Sequence, residues 1–109
     1  MTLTNAPILE SENLILRGPE KEDAEEVISF LLDENRSRGF GSSPDRSDAW
    51  RWFSTNVGHW HWHGYGYFMI ETKLGEVAGM SGIWNPEGWP EPEVGWAVFD
   101  KFEGKSIAY

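Results

Sequence analysis

The stretch VGWAVFDKFEGKSIAY, Val94 to Tyr109, decides how the rest of the chain is read. Val94 to Phe99 alternates weakly, as a strand does. A polar turn then begins at Asp100, and Gly104-Lys105-Ser106 opens a helix. A strand that hands over to a helix through a glycine turn belongs to a sheet with helices packed beside it. The same turn is a place for an anion, because free N–H groups at a helix start, approached closely past a glycine, cradle phosphate. Lys101 and Lys105 add positive charge there. On spacing alone, an ordinary strand-to-helix turn is the commoner reading.

Upstream, Asn85 to Pro92 holds three Pro and one Gly and reads as a loop. Val77 to Trp84 and Tyr67 to Ile70 read as strands, joined by a hairpin turn at Lys73 to Glu76. Gly79 and Gly82 within the return strand mark a bulge or a close backbone approach. Ser47 or Asp48 caps a helix running to about Trp60 and ended by Gly64 and Gly66; Trp50, Phe53, Val57 and Trp60 form its apolar stripe. Asn35 to Pro44 reads as a loop. Glu20 to Asp33 reads as a helix, with acids crowding its first turn and Ala24, Val27, Ile28, Leu31 and Leu32 on one face. Leu14 to Arg17 is a short strand stopped by Gly18-Pro19.

The fold class expected is therefore α+β: a mixed, mainly antiparallel sheet flanked by helices, in the order β-α-α-β-β-β-α, cut off after the start of the third helix. A helix stub so short buries no face, so further residues are expected after Tyr109 in the parent protein. No repeat or linker divides residues 1–109, which read as a single domain.

Composition narrows the function. The 109 residues carry 18 acids against 9 Lys and Arg, a formal net charge of −9. Such a chain is repelled by phosphate, so nucleic acid is not an expected partner. No apolar run approaches the ~20 residues of a membrane helix, and the N-terminus lacks a signal-peptide pattern, so a cytoplasmic protein with no membrane partner is expected. The absence of Cys excludes disulfides and thiolate metal sites. Seven Trp, six Phe and three Tyr supply a core.

The motifs, taken in order, resemble the N-terminal part of a GCN5-related N-acetyltransferase of the ribosomal-protein N-acetyltransferase-like branch. Leu14-Ile15-Leu16-Arg17 is similar to that family's opening strand, Gly75 to Gly82 to its G-x-x-I/V-G…G strand, and Glu93-Val94-Gly95-Trp96 to the E-I-G-[YW] of its fourth strand. Lys101 to Ala108 resembles the acetyl-CoA pyrophosphate loop, [RQ]-x-x-G-x-[GA], with Lys101 in place of Arg or Gln and Ser106 in place of Gly or Ala. Members carry further strands and helices after this loop, so the chain reads as lacking its C-terminal half.

The resemblance implies an acetyl-CoA-dependent N-acetyltransferase in which an amine attacks the thioester directly, in a ternary complex. It implies Glu93 as the base, although a strand-end surface carboxylate reads equally well at that position. It implies that an amide of Val98 or Phe99 polarises the thioester oxygen, and that Gly104, Lys105, Ser106, Ile107 and Ala108 bind the pyrophosphate. Trp62, Tyr65 and Trp84 are expected to bind the acceptor, which is a peptide N-terminus or a small-molecule amine. In the family a fifth strand covers the fourth. Without it, Val94, Trp96, Val98 and Phe99 are expected to be uncovered, and the chain to form a homodimer or to hold its missing C-terminal part.

Two stretches admit other chemistry. In His59-Trp60-His61-Trp62-His63, a metal site lacks the Asp, Glu or Cys to complete it; a helix end with His near the C-terminal dipole is the favoured reading, and no metal is assigned. The loop from Trp84 to Glu93 sets two Trp among three acids, which attracts cations, or is simply a stiff loop whose Trp cover core edges. Two other functions fit the sequence: a non-catalytic remnant that binds a partner or dimerises, and a Trp-rich carbohydrate-binding module, which two amphipathic helices argue against.

Overall fold

The computed structural model describes residues 3–99. Five strands form one sheet in the order β1 (Leu9–Glu10), β2 (Leu14–Arg17), β3 (Tyr67–Thr72), β4 (Val77–Trp84), β5 (Glu93–Val98), and every pairing is antiparallel. Between β2 and β3 lie a 3-10 turn (Lys21–Asp23) and three helices, α1 (Ala24–Leu32), α2 (Glu34–Ser37) and α3 (Arg46–His63). This is the expected sheet flanked by helices, with two short elements added. β1 is a two-residue strand that exists only through its pairing with β2, around the turn closed by Ser11 N–H to Leu14 O. α2 lies inside the expected loop; the Asp33 carboxylate caps it by accepting from the amides of Asn35 and Arg36. No helix among the described residues is long and apolar enough to cross a membrane.

α3 starts one turn earlier than the sequence suggests a cap. Asp45 accepts from Asp48 N–H at 2.9 Å, and Gly64, at φ 79°, ends the helix in the left-handed conformation. Its buried face is Ala49, Phe53, Asn56, His59 and Trp60, with Val57 half-buried against the core; of the expected stripe only Trp50 departs, at 57% exposed. Small Ala49 lets α3 approach α1, whose Val27, Ile28 and Leu31 fill the space against Met69 and Met80 of the sheet.

Polar groups inside this core are all partnered: no buried side-chain nitrogen or oxygen among the described residues lacks a hydrogen bond. Two clusters matter most. Arg17 donates to both oxygens of the buried Asp23 carboxylate (2.8 and 3.0 Å) and to Glu71 (2.7 Å), tying β2 to the start of α1 and to β3. These partners push the guanidinium pKa further up, so it stays charged. Asn56, on α3, donates to Tyr67 O (3.1 Å) and accepts from Tyr67 N–H (2.9 Å), while Trp60 Nε1 donates to the same carbonyl (2.9 Å). β2 ends at Arg17, opposite Met69, so on that edge β3 runs on to Tyr67 with no strand beside it, while β4 still pairs with its other edge. A side-chain amide completes the pairing there.

β3 and β4 cross closely where Gly82 faces Gly66 and Tyr67. A Cβ at position 82 would lie 2.0 Å from Gly66 O. The close approach expected of Gly82 is thus real, and the bulge falls between Ile70 and Glu71, opposite Val77 to Gly79.

Candidate functional site

β5 is the last strand of the sheet, and its far edge has no strand beside it among the described residues. Phe99 N–H donates to Ala78 O at 2.8 Å. Antiparallel alternation then turns the backbone of Glu93, Gly95, Ala97 and Phe99 toward β4, and that of Val94, Trp96 and Val98 outward. This decides between the two expected amides. Phe99 is excluded as a donor to a ligand, because its amide is already engaged and its ring packs 5.2 Å from Phe30 in the core. Val98 N–H faces the open edge. Of the apolar residues expected to be uncovered, Val94 and Trp96 are exposed, Val98 is half-buried and Phe99 is buried. Beside this edge, Phe30, Arg36 and Phe40 line a hollow of about 510 Å³ together with β5.

A second region lies where α3 meets the loop after β4. Trp84, the last residue of β4, alternates inward with Met80 and is only 7% exposed. Its indole stacks on His59 (4.7 Å between centroids, 8° between planes) and on Trp52 (5.1 Å, 28°). It is therefore a wall of the core, not a surface platform. His59 accepts from Asn85 N–H at Nε2 (2.9 Å), so Nδ1 carries the proton and donates to Tyr65 O (2.7 Å). Burial pushes its pKa down, further lowered by His63, and holds the ring neutral. This one side chain pins the start of the loop, and Asn85 Nδ2 adds a 3.3 Å bond to Tyr65 Oη.

Two hollows open on this region. The inner one, about 490 Å³, lies over Trp52, Tyr67 and Trp84 and is edged by Ser42, Ser43 and Asp48. The outer one, about 530 Å³, is lined by Gly58, His59, Trp62, His63, Asn85 and the following loop. Of the three residues expected at an acceptor site, Trp62 lines the outer hollow and Trp84 the inner one. Tyr65 lines neither; it supports them from behind, against the rings of His59 and His63. Glu93 is exposed at the start of β5, opposite Trp84. Its charge, after burial, raises the pKa of Tyr67, whose hydroxyl lies against Gly95. Gly104, Lys105, Ser106, Ile107 and Ala108 lie outside the described residues.

The three His of the 59–63 stretch do not converge. His59 is satisfied at both nitrogens, and His61 Nε2 lies 2.7 Å from Leu3 O on another side of the helix. No group of three or more His, Cys, Asp or Glu among the described residues is placed to hold a metal. Sequence reading missed Asn56, Asp48 and the Ser42-Ser43 edge, which become neighbours of the site only through the tertiary fold.

The described residues thus form an antiparallel sheet with an open terminal edge, helices packed against it and a cleft between α3 and the loop after β4. Residues 13–109 match the acetyltransferase (GNAT) domain, and the chain belongs to that family. Among solved structures it is similar to an acetyltransferase from Agrobacterium tumefaciens str. C58, with 33% identity over 94% of this chain and 60% of that one, and a TM-score of 0.85. It shares its fold with RimL, a ribosomal L7/L12 alpha-N-protein acetyltransferase (15% identity, 94% of this chain and 59% of that one, TM-score 0.70). It also shares it with the microcin C7 self-immunity acetyltransferase MccE in complex with acetyl-CoA and AMP (19% identity, 97% and 62%, TM-score 0.65). The chain thus spans about three-fifths of the length of these structures. No curated protein sequence matches it.

Proposed function

We propose that residues 1–109 form a single acetyltransferase-like domain that provides the amine side and one wall of the coenzyme slot of an acetyl-CoA-dependent N-acetyltransferase. The observation that carries this reading is the outward edge of β5 in a chain of the GNAT family. The residues present fit the coenzyme. The outward amides of Val94, Trp96 and Val98 suit an arm that itself carries amides, and the hollow beside them is lined by apolar rings. Acetyl-CoA supplies an acetyl group activated as a thioester.

Val98 N–H is the donor available to a carbonyl oxygen at this edge, a role in which one well-placed amide contributes roughly 3–4 kcal/mol to the barrier. Glu93, at the other end of β5 and so roughly 16 Å of strand away from Val98, is the base for the acceptor ammonium, reached through a chain of waters so that the neutral amine reacts. Trp62, Trp84 and the loop after β4 hold the acceptor, with Tyr65 positioning them. Gly104, Lys105, Ser106, Ile107 and Ala108 bind the pyrophosphate through their amides. The burial of Trp84 between Trp52 and His59 speaks against the carbohydrate-platform reading.

Calorimetric titration with acetyl-CoA tests this function. Saturable binding, weakened by Gly104→Pro or Lys105→Glu, supports it. No binding at millimolar coenzyme removes it for this chain and brings forward the non-catalytic, partner-binding reading.

A further inference from the structure

We infer that the outer hollow, formed by Trp62, Trp89 and Glu87, is a subsite for a second positive charge on the acceptor, so that the preferred substrate is an amine bearing a further cationic group along its chain. This deepens the acetyltransferase reading and rests on it for the word acceptor.

The two hollows beside α3 are not separate. Thr55, Pro86, Glu87 and Trp89 line both, so they form one trough running from Tyr67 and Trp84 outward to Trp62. No Lys or Arg lines either part. The ionisable side chains along it are Asp48, Glu87, Tyr67, His59 and His63. His59 Nε2 accepts from the chain at Asn85 N–H, and burial lowers the pKa of the ring. The trough therefore presents carboxylates and π-faces, and it does so in a chain of net charge −9.

The outer end has the composition of an ammonium site. Trp62 is 85% exposed and Trp89 42%, which for indoles lining a hollow leaves ring faces open to a ligand. A cation over an indole face gains from the ring quadrupole, and a nearby carboxylate adds to it. The support is stiff, so little ordering is required on binding. Trp62 is the last residue but one of α3, at its C-terminal end, where the helix dipole also favours positive charge. Trp89 and Glu87 stand on a loop with Pro86, Pro90 and Pro92, pinned at Asn85 by His59 and closed by a turn from Trp89 N–H to Pro86 O. Trp89 and Trp62 thus come from two rigid elements. Neither belongs to the apolar core cluster among the described residues.

The test is equilibrium binding without coenzyme, so that failure of the coenzyme to bind leaves the result untouched. The intact chain is titrated with 1,4-diaminobutane and with n-butylamine, and in parallel with the dipeptide amides Ser-Lys and Ser-Leu. The dication of each pair is expected to bind about tenfold more tightly than its partner, as one cation–π and carboxylate contact provides. Whichever pair shows the larger ratio identifies the source, small amine or peptide. Trp89→Ala and Glu87→Gln should each remove most of that ratio. Glu12→Gln, which removes a charge elsewhere on the surface, should leave it unchanged. Equal binding of mono- and dications overturns the inference. So does a ratio that Glu12→Gln lowers as much as Glu87→Gln does, because that is bulk attraction to an acidic protein. Circular dichroism of the two exposed-loop variants checks that the fold is retained.

Discussion

Replacing Asn56 by Ala should destabilise this protein far more than the loss of one small side chain suggests. Asn56 is 1% exposed and bonds both backbone groups of Tyr67. Truncation strands Tyr67 N–H, whose partner is Asn56 Oδ1, in a buried site; an orphaned buried donor costs about 1–3 kcal/mol. Tyr67 O loses one of its two donors and keeps Trp60 Nε1, which costs about 1 kcal/mol. The sum is about 2–4 kcal/mol, a large share of the roughly 5–15 kcal/mol of a typical domain. Trp60→Phe removes only the second donor, keeps the apolar bulk, and should cost about 1 kcal/mol. The assay is urea unfolding. With slopes of about 1–3 kcal/mol/M, Asn56→Ala should lower the midpoint by roughly 1–2 M. Hydrogen exchange at Tyr67 NH in the Trp60→Phe and wild-type chains gives a second readout should the Ala variant fail to fold: that amide should be among the slow ones, because it bonds Asn56 and not solvent. A loss below about 1 kcal/mol in Asn56→Ala with the fold intact, or fast exchange at Tyr67 in the wild type, refutes the reasoning.

Three further outcomes follow from the same geometry. His59 is neutral in the fold and its pKa lies below the usual value, so the unfolded chain binds more protons as pH falls through about 6.5; urea midpoints should be higher at pH 7.5 than at pH 5, and His59→Gln should shrink that difference. Arg17→Ala leaves the buried Asp23 carboxylate without its partner and should cost about 3–5 kcal/mol in the same assay, and Arg17→Lys should recover only part, since an ammonium lacks the fork that bonds both oxygens. Gly82→Ala places a methyl 2.0 Å from a backbone oxygen of β3's lead-in and should cost at least about 3 kcal/mol, or abolish the expressed fold, measured by thermal unfolding.

What the sequence disclosed was whatever local periodicity encodes. β2, the β3–β4 hairpin with its turn at residues 73–76, and the end of α3 at Gly64 follow from strings of neighbours that carry their own signal. β1 was illegible because two residues have no period. α2 was illegible because its capping carboxylate, Asp33, was read as the tail of the preceding helix. The α3 stripe was misplaced at one position, Trp50, because a large aromatic was counted as core. Trp50 points outward while small Ala49 and polar Asn56 point in. The candidate site was half legible. The loop after β4 announces itself through its Pro and Trp content, and Trp62 lines the hollow that the loop forms with α3. But Trp84, rightly read as the end of a strand, was also counted with that loop as a contact for the acceptor, whereas strand alternation carries it into the core. And only the pairing register shows that Phe99 has its amide engaged while Val98 has not.

The inner hollow and the core share residues, and this sets how each responds to change. His59 touches Trp84 by stacking, and Trp84 touches Trp52 and Tyr67, so the floor of the inner hollow is the surface of the hydrophobic core. Through Nε2 the same imidazole fixes Asn85 and with it the loop that carries Glu87 and Trp89. Protonating His59 removes that acceptor: Nε2 then bears a hydrogen facing the Asn85 N–H, and the loop loses its anchor. A cation held by Trp62, Glu87 and Trp89 therefore depends on a histidine it does not touch. Glu87 alone does not make the subsite; the bond from Asn85 N–H to His59 that holds its loop does.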